Sequence, residues 1–332
     1  MKRKLTAAAL AIMLCIGAGA QNVTRVGIIG LDTSHSPAFT KILNADSDEP
    51  IARNYEVVAA YPYGTRNIES ATSRIPKYIE EVTGMGVEIV DSIEELLDRV
   101  DCVFLETNDG NLHLEQAEKV LRAGKKCFID KPLAATLAEC IAIYDLADRY
   151  GVKIFSSSAL RFSKATADIR AGVYGPVRGA DCYSPHTAEK SHPDFGFYGI
   201  HGVETLYTVM GAGCEKVSRM HSDQGDVVTG LWADGRLGTF RAIYKSGTYG
   251  GTVLLKDKMM PAGGYEGYRC LLDAVIEFFE TGVPPVSKEE ALEIFAFMEA
   301  SNLSLAKDGR YVLVSDVMKK AEKDARKLLK KF

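Results

Sequence analysis

The segment Gly124-Lys125-Lys126-Cys127-Phe128-Ile129-Asp130-Lys131-Pro132-Leu133-Ala134 decides how the chain is read. Lys126 to Ile129 have the apolar, β-prone character of a buried strand, and the strand runs straight into an acid, a lysine and a proline. Pro132 disfavours the α region for Lys131 and keeps it extended. The ammonium is thereby held at the carboxyl end of a strand, where open α/β sheets bind their ligands. An amine in such a crevice gives or takes a substrate proton when burial favours its neutral form. Taken alone, Lys-Pro marks an ordinary surface loop; the sequence on either side argues for more.

From residue 23 to about residue 158, short β-branched runs alternate with helical patterns, the signature of a parallel sheet covered by helices. The strands expected are Arg25–Gly30, Glu56–Tyr61, Val87–Val90, Cys102–Leu105, Lys126–Ile129 and Val152–Ser156. Helices fit between them. Ser92-Ile93-Glu94-Glu95 reads as a capping box. Leu112–Arg122 stops at Gly124, and Leu137–Arg149 stops near Gly151, both glycine caps. The fold class is α/β: a doubly wound, Rossmann-like domain over residues 21–158.

Beyond residue 158 the pattern changes. A short helix near Ala165–Ala171 leads to a strand at Arg178–Tyr183, a polar His-rich loop, and a helix from Ile200 to Met210. Strands at Glu215–His221, Val227–Trp232 and Leu237–Tyr244 follow, with Ala233-Asp234-Gly235 as a tight turn. A further strand, Gly251–Leu255, precedes long helices at Tyr268–Glu280 and Lys288–Ala306, and a basic amphipathic helix begins at Ser315. Residues 159–332 thus read as an α+β domain with an open, largely antiparallel sheet and helices on one face. Ile276, Phe278, Phe279, Ile294, Phe295 and Phe297 fall at core spacing and carry no chemistry.

Four stretches carry a family resemblance: Val100-Asp101-Cys102-Val103-Phe104-Leu105-Glu106-Thr107, His113-Leu114-Glu115-Gln116-Ala117, Leu121-Arg122-Ala123-Gly124-Lys125 and Asp130-Lys131-Pro132-Leu133-Ala134. Together they resemble the Gfo/Idh/MocA family of NAD(P)-dependent oxidoreductases, which act mostly on sugars, cyclitols and related polyols. The family's Glu-Lys-Pro is Asp130-Lys131-Pro132 here, and the likeness continues through Gly199-Ile200-His201 and Tyr268-Arg269-Cys270-Leu271-Leu272. The resemblance implies NAD or NADP over Gly30, Thr33, Ser34, His35, Thr107, Asp130 and Lys131. It implies Lys131 as general acid/base with His201 beside it, and Arg161 reaching a substrate hydroxyl or carboxylate. An interdomain salt bridge is the other reading of Arg161. His113 is assigned a structural task, orienting the loop 108–111. The resemblance also implies a homodimer or tetramer built on an exposed sheet face.

Two departures bear on the cofactor. A dinucleotide site asks for G-x-G-x-x-G after the first strand, whereas Gly30-Leu31-Asp32-Thr33-Ser34-His35 keeps only the first glycine. Asp32 puts a carboxylate where a diphosphate would lie, a like-charge contact costing on the order of 1 kcal/mol. An acid expected at the close of the second strand is replaced by Tyr61-Pro62-Tyr63-Gly64. Thr33 and Ser34, with the amides of the helix start, remain suited to an anion. Hence two readings stand: a variant cofactor mode, or a carbohydrate-binding crevice without cofactor.

His186, His192, Asp194, Tyr198, His201 and Glu204 crowd into one span. Gly199 and Gly202 clear space round His201, which favours an active-site histidine. The family's acid four residues earlier is Phe197 here, with Tyr198 or Asp194 as substitutes. Tyr198 joins Lys131 and His201 as a catalytic candidate; His186 and Asp194 join Arg161 as substrate-binding candidates. The same histidines would suit a metal-assisted hydrolase or lyase, but no fixed-geometry pair such as His-x-x-x-His occurs, and no metal ligands are assigned.

Composition bounds the rest. The chain has 332 residues, enough for two cores, and a net charge of −4 with no basic stripe, which argues against nucleic acid. Met1-Lys2-Arg3-Lys4, the apolar run Leu5 to Gly17 and Ala18-Gly19-Ala20 read as an export signal over residues 1–20, too short to anchor in a membrane. The expectation is an exported protein, periplasmic or secreted, with no membrane attachment after cleavage. Cys102 and Cys127 sit inside apolar strands and read as small buried hydrophobes rather than disulfide partners.

Overall fold

The structure is a computed structural model that describes residues 23–44, 54–245 and 247–332; the expected export signal lies outside the described residues. The first sheet is built from β1 (Thr24–Ile29), β2 (Tyr55–Tyr61), β3 (Glu88–Ile89), β4 (Cys102–Leu105), β5 (Lys126–Ile129) and β6 (Ile154–Ser156). It is parallel throughout, in the order β3-β2-β1-β4-β5-β6. Between the strands run α1 (His35–Asn44), α2 (Glu69–Thr72), α3 (Ile75–Thr83), α4 (Ile93–Arg99), α5 (His113–Arg122) and α6 (Leu137–Tyr150). The strands β4 and β5 are apolar because helices cover both faces of a parallel sheet.

Local signals act as expected, with one exception. α6 begins at a complete capping box, Thr136 with Glu139, and ends at left-handed Gly151. At α4 only half of the expected box forms. Ser92 accepts from the Glu95 amide, but the Glu95 carboxylate turns to the amide of Asp91 and to Arg99 instead.

The second part opens with α7 (Lys164–Arg170), β7 (Gly179–His186), α8 (Ile200–Met210), β8 (Cys214–Ser222), β9 (Gly225–Trp232), β10 (Leu237–Tyr244), β11 (Gly250–Leu254) and β12 (Met259–Ala262). It closes with α9 (Arg269–Thr281), α10 (Lys288–Leu305), β13 (Val312–Leu313) and α11 (Val314–Leu328). The sheet order is β12-β11-β7-β10-β9-β8-β13. It is mixed rather than wholly antiparallel, because β10 lies parallel to β7 while pairing antiparallel with β9. The hydrophobic alternation that reads as a strand is the same for either direction, so this was not visible in sequence.

α9 packs on the parallel sheet. Phe279 stacks on Phe104 of β4 at 5.7 Å, and Phe278 meets Phe155 of β6 edge-on at 5.1 Å. A helix from the later half of the chain therefore covers the parallel sheet, and each buried ring contributes about 1.5–3 kcal/mol through the apolar area it removes from water. Lys126 Nζ also donates to the carbonyl of Phe279. This ties the start of β5, with Phe104 and Phe155 on its two neighbouring strands, to α9. Among the described residues no helix is long and apolar enough to cross a membrane.

Candidate active-site crevice

The register of the first sheet places the reactive groups. Leu105 of β4 pairs with Ile129 of β5, so the next residues, Glu106 and Asp130, emerge side by side at the carboxyl edge. Both are fully buried. Lys131 follows and is half-exposed on a cavity of about 270 Å³ lined also by Thr33, Ser34, His35, Asn108, Ser158 and Tyr198. His201 enters the same cavity from α8, with Tyr249, Tyr265 and Tyr268 on the far wall.

His201 is set by its surroundings. Ser158 Oγ lies 2.7 Å from its Nδ1, and Tyr249 packs edge-on at 5.5 Å. Ser158 is in turn fixed by Glu204, one turn further along α8, which accepts from the Ser158 amide at 2.8 Å and from the Ser157 hydroxyl. Arg161 Nε holds Glu204 at 2.9 Å and its Nη1 holds Glu290 at 2.7 Å. Burial, helped by the positive charge of Lys131, lowers the His201 pKa to about 3, so the ring is neutral at ordinary pH.

His35 opens α1 and stands against two acids. Its Nδ1 is 3.1 Å from Asp130 Oδ1 and 3.4 Å from Glu106 Oε2, yet neither contact is aligned as a hydrogen bond. Burial alone lowers the pKa of such an imidazole, but here the two carboxylates outweigh it and raise the value to about 10. Burial and the neighbouring Asp130 charge push Glu106 up. Asp130 is driven down, against its own burial, by His35 and Lys131. His113, wholly buried, places Nδ1 3.1 Å from the Leu133 carbonyl and Nε2 2.6 Å from the Thr107 carbonyl, tying the loops after β4 and β5 together.

The structure brings Lys131, His201, Tyr198, Thr33, Ser34, His35 and Asp130 to one cavity. Gly30 and Thr107 lie beneath it: Gly30 has φ +91, and a side chain there would meet the Thr107 backbone at 2.7 Å. The three substrate-binding candidates are corrected. Arg161 is buried under the site in its two ion pairs, a positioning residue for Glu204 and hence Ser158. His186 and Asp194 bond to each other at 2.9 Å and belong to a network on the second sheet, where Arg219 bridges Asp194 and Asp226. None of the three lines the cavity. His192 docks the loop by accepting the Gly110 amide at 3.0 Å. Residues that sequence reasoning left out are Glu106, Asn108, Ser158, Arg74 and the tyrosines 249, 265 and 268. Glu106 had a readable signal: an acid closing an apolar strand beside a second strand closed by Asp130. The tyrosines had none, because the folding of distant segments brings them in.

A six-stranded parallel sheet joined to an open mixed sheet, with Lys131 and His201 lining one cavity, is the arrangement this chain presents. Residues 24–158 match the family model described as oxidoreductase family, NAD-binding Rossmann fold. Over these residues the chain is similar to the Gfo/Idh/MocA oxidoreductase family. An uncharacterized oxidoreductase of Streptococcus pneumoniae is 31% identical over 99 residues, which spans 28% of this chain and 27% of that protein. A probable dehydrogenase from Thermotoga maritima superposes with a TM-score of 0.69 at 18% identity, covering 88% of this chain and 99% of its own. The myo-inositol dehydrogenase of Lactobacillus casei, solved with NAD(H) and myo-inositol, gives 0.67 at 18% identity over 88% and 96% of the two chains.

The family is NAD-binding, and the nucleotide path can be tested on this chain's own atoms. Asp32, at the place of the second glycine, is wholly buried and accepts the amides of Thr65 at 2.7 Å and Asn108 at 3.0 Å. A side chain on Gly64 would strike Thr107 at 2.5 Å, so the loop after β2 is packed onto the end of β4. Ser34 Oγ is paired with the Tyr268 hydroxyl at 2.8 Å over the start of α1. The diphosphate does not fit while Asp32 holds those two amides.

Proposed function

We propose that the protein is an enzyme of the oxidoreductase class acting on a sugar, cyclitol or related polyol, with Lys131 as general acid/base. The observation that carries this reading is the meeting of Lys131 and His201, from two different sheets' surroundings, on one cavity of about 270 Å³. That volume suits a molecule of monosaccharide size, near the lower end of small-molecule sites. Tyr198, Tyr249, Tyr265, Tyr268 and Arg74 line the same space and supply residue types that match a ligand rich in hydroxyls.

The division of labour follows from charge. Lys131, as the ammonium, donates a proton to a carbonyl oxygen; as the amine, it takes one from a hydroxyl. His201 is held neutral. With Nδ1 engaged by Ser158, its Nε2 is left to orient the reacting hydroxyl. Tyr198 lies beside it, ring centroids 6.2 Å apart. The solved relative with NAD(H) and myo-inositol supports NAD or NADP as redox partner and a polyol as substrate. The dinucleotide would enter only after the loop at Thr65 leaves Asp32. A second reading, a carbohydrate site that works without a dinucleotide, is favoured by the burial of Asp32 on those amides. Residues 1–20 carry an export pattern, so the same proposal places the enzyme outside the cytoplasm.

Titrating NAD⁺ and NADP⁺ calorimetrically into the mature protein, with mass spectrometry of small molecules released on denaturation, tests the reading. Binding below millimolar, or dinucleotide carried through purification, is the expected result. Absence of both, with polyol binding retained, would leave the cofactor-free site.

A further inference from the structure

We propose that His35, Glu106 and Asp130 form a site for one divalent transition-metal cation of the zinc or manganese kind, with its remaining coordination position open to the crevice. One ligand atom from each residue can be chosen so that all lie within 4.8 Å of one another. The imidazole of one residue and the carboxylates of two make a donor set suited to such ions.

Unsatisfied valence is the main argument. On each acid one oxygen is held in place: Glu106 Oε2 by the Thr33 hydroxyl at 3.3 Å, and Asp130 Oδ1 by the Lys131 amide at 2.7 Å. The other oxygens, Glu106 Oε1 and Asp130 Oδ2, and His35 Nδ1 are buried with no hydrogen-bond partner among the described residues. Three such orphans in one cluster, one from each member, are rare in a folded protein and call for a missing partner. Neither acid forms an ion pair with lysine or arginine among the described residues; His35 is the group within 4 Å. Two buried carboxylates side by side need a compensating cation.

Geometry agrees. Bonds of about 2.0–2.1 Å in a tetrahedral site put neighbouring ligand atoms about 3.3 Å apart. The contacts from His35 Nδ1 are 3.1 and 3.4 Å, and the ring nitrogen aims at neither oxygen directly. Those contacts run to Asp130 Oδ1 and Glu106 Oε2, and an ion between the three groups would give His35 Nδ1 a partner and compensate both carboxylates. Three protein ligands with a fourth position open is the catalytic rather than the structural arrangement. His35 and Asp130 both line the cavity, which puts that position on the substrate side. The Thr33 hydroxyl then orients Glu106 from outside the coordination sphere. That a polyol oxygen takes the open position rests on the reading of the crevice above; uptake of the ion does not.

The test is calorimetric titration of chelator-treated mature protein with Zn²⁺ and with Mn²⁺, without nucleotide. One ion per chain is expected. Glu106→Gln keeps shape and removes charge, and should weaken uptake about a hundredfold; Thr33→Val, outside the sphere, should weaken it about tenfold. His186→Ala, in the other histidine cluster, should change nothing. Cobalt(II) should give the visible spectrum of a four-coordinate N/O site, lost in Glu106→Gln. Circular dichroism monitors the fold, and Thr33→Val keeps the test open if Glu106→Gln misfolds. No stoichiometric uptake by the wild type, or equal uptake by wild type and Glu106→Gln, overturns the proposal: His35 is then a proton-carrying bridge between two acids. Because nucleotide is absent, either outcome is separate from the success or failure of NAD binding.

Discussion

Two clusters of histidine and acid residues sit in this molecule, and they behave differently. On the second sheet, Asp194 and Asp226 share Arg219, whose guanidinium also reaches Asn302 at 2.9 Å and lies 4.1 Å from the ring centre of Phe195. Each of its acids has an arginine partner, and the network serves folding. At the crevice, His35 is the one ion-pair partner of Glu106 and Asp130 among the described residues, and each member retains a buried atom without a hydrogen bond among them. Histidine and acid occur in both places, and the arginine in one. What separates a site from a strut is whether the charges are already answered within the chain.

Several substitutions would break or sharpen this contrast. The largest effect is expected from Lys131→Met: conversion of a polyol substrate should fall about 10²–10⁴-fold with the melting temperature unchanged, because only proton transfer is lost. Arg219→Met should do the reverse, costing about 3–5 kcal/mol in denaturant unfolding by leaving two acids uncompensated, with ligand affinity at the crevice intact. A variant that lost crevice binding as well would join the two regions that are held apart here.

The third effect depends on pH. His201 has its folded pKa depressed to about 3, below the ordinary 6.5 of the unfolded chain. Between those values the unfolded state carries a proton that the folded state refuses. Its contribution to stability is therefore complete above pH 6.5 and is lost as the pH falls toward 3. As the pH falls from 8 to 4 the wild type should lose melting temperature relative to His201→Gln, which has no imidazole to titrate; curves that stay parallel contradict the burial argument. The smallest effect is expected at His186→Ala, about 1.5–3 kcal/mol for one hydrogen bond to a charged acid, with no change in binding.

The parallel sheet was legible because strands such as Cys102–Leu105 and Lys126–Ile129 are continuous apolar runs ended by polar residues. Lys131 was legible for the same reason, as was the helix carrying His201. The roles of Arg161, His186 and Asp194 were not. A charged residue near a suspected site reads alike whether it meets ligand or another side chain, and Glu204, Glu290 and Arg219 come from elsewhere in the chain. Glu106 shows the opposite case: its meaning lay in the register between two strands, which sequence gives once the strands are aligned. The aromatic wall of Tyr249, Tyr265 and Tyr268 depends on how α9 docks, and no local pattern encodes that.

The most direct measurement is a crystal of the mature protein soaked with a panel of cyclitols and monosaccharides. Ligand density in the crevice, with one oxygen about 2.6–3.2 Å from Lys131 Nζ and another that close to His201, is the predicted result. Density at the His186–Asp194–Arg219 cluster with the crevice empty would contradict the account.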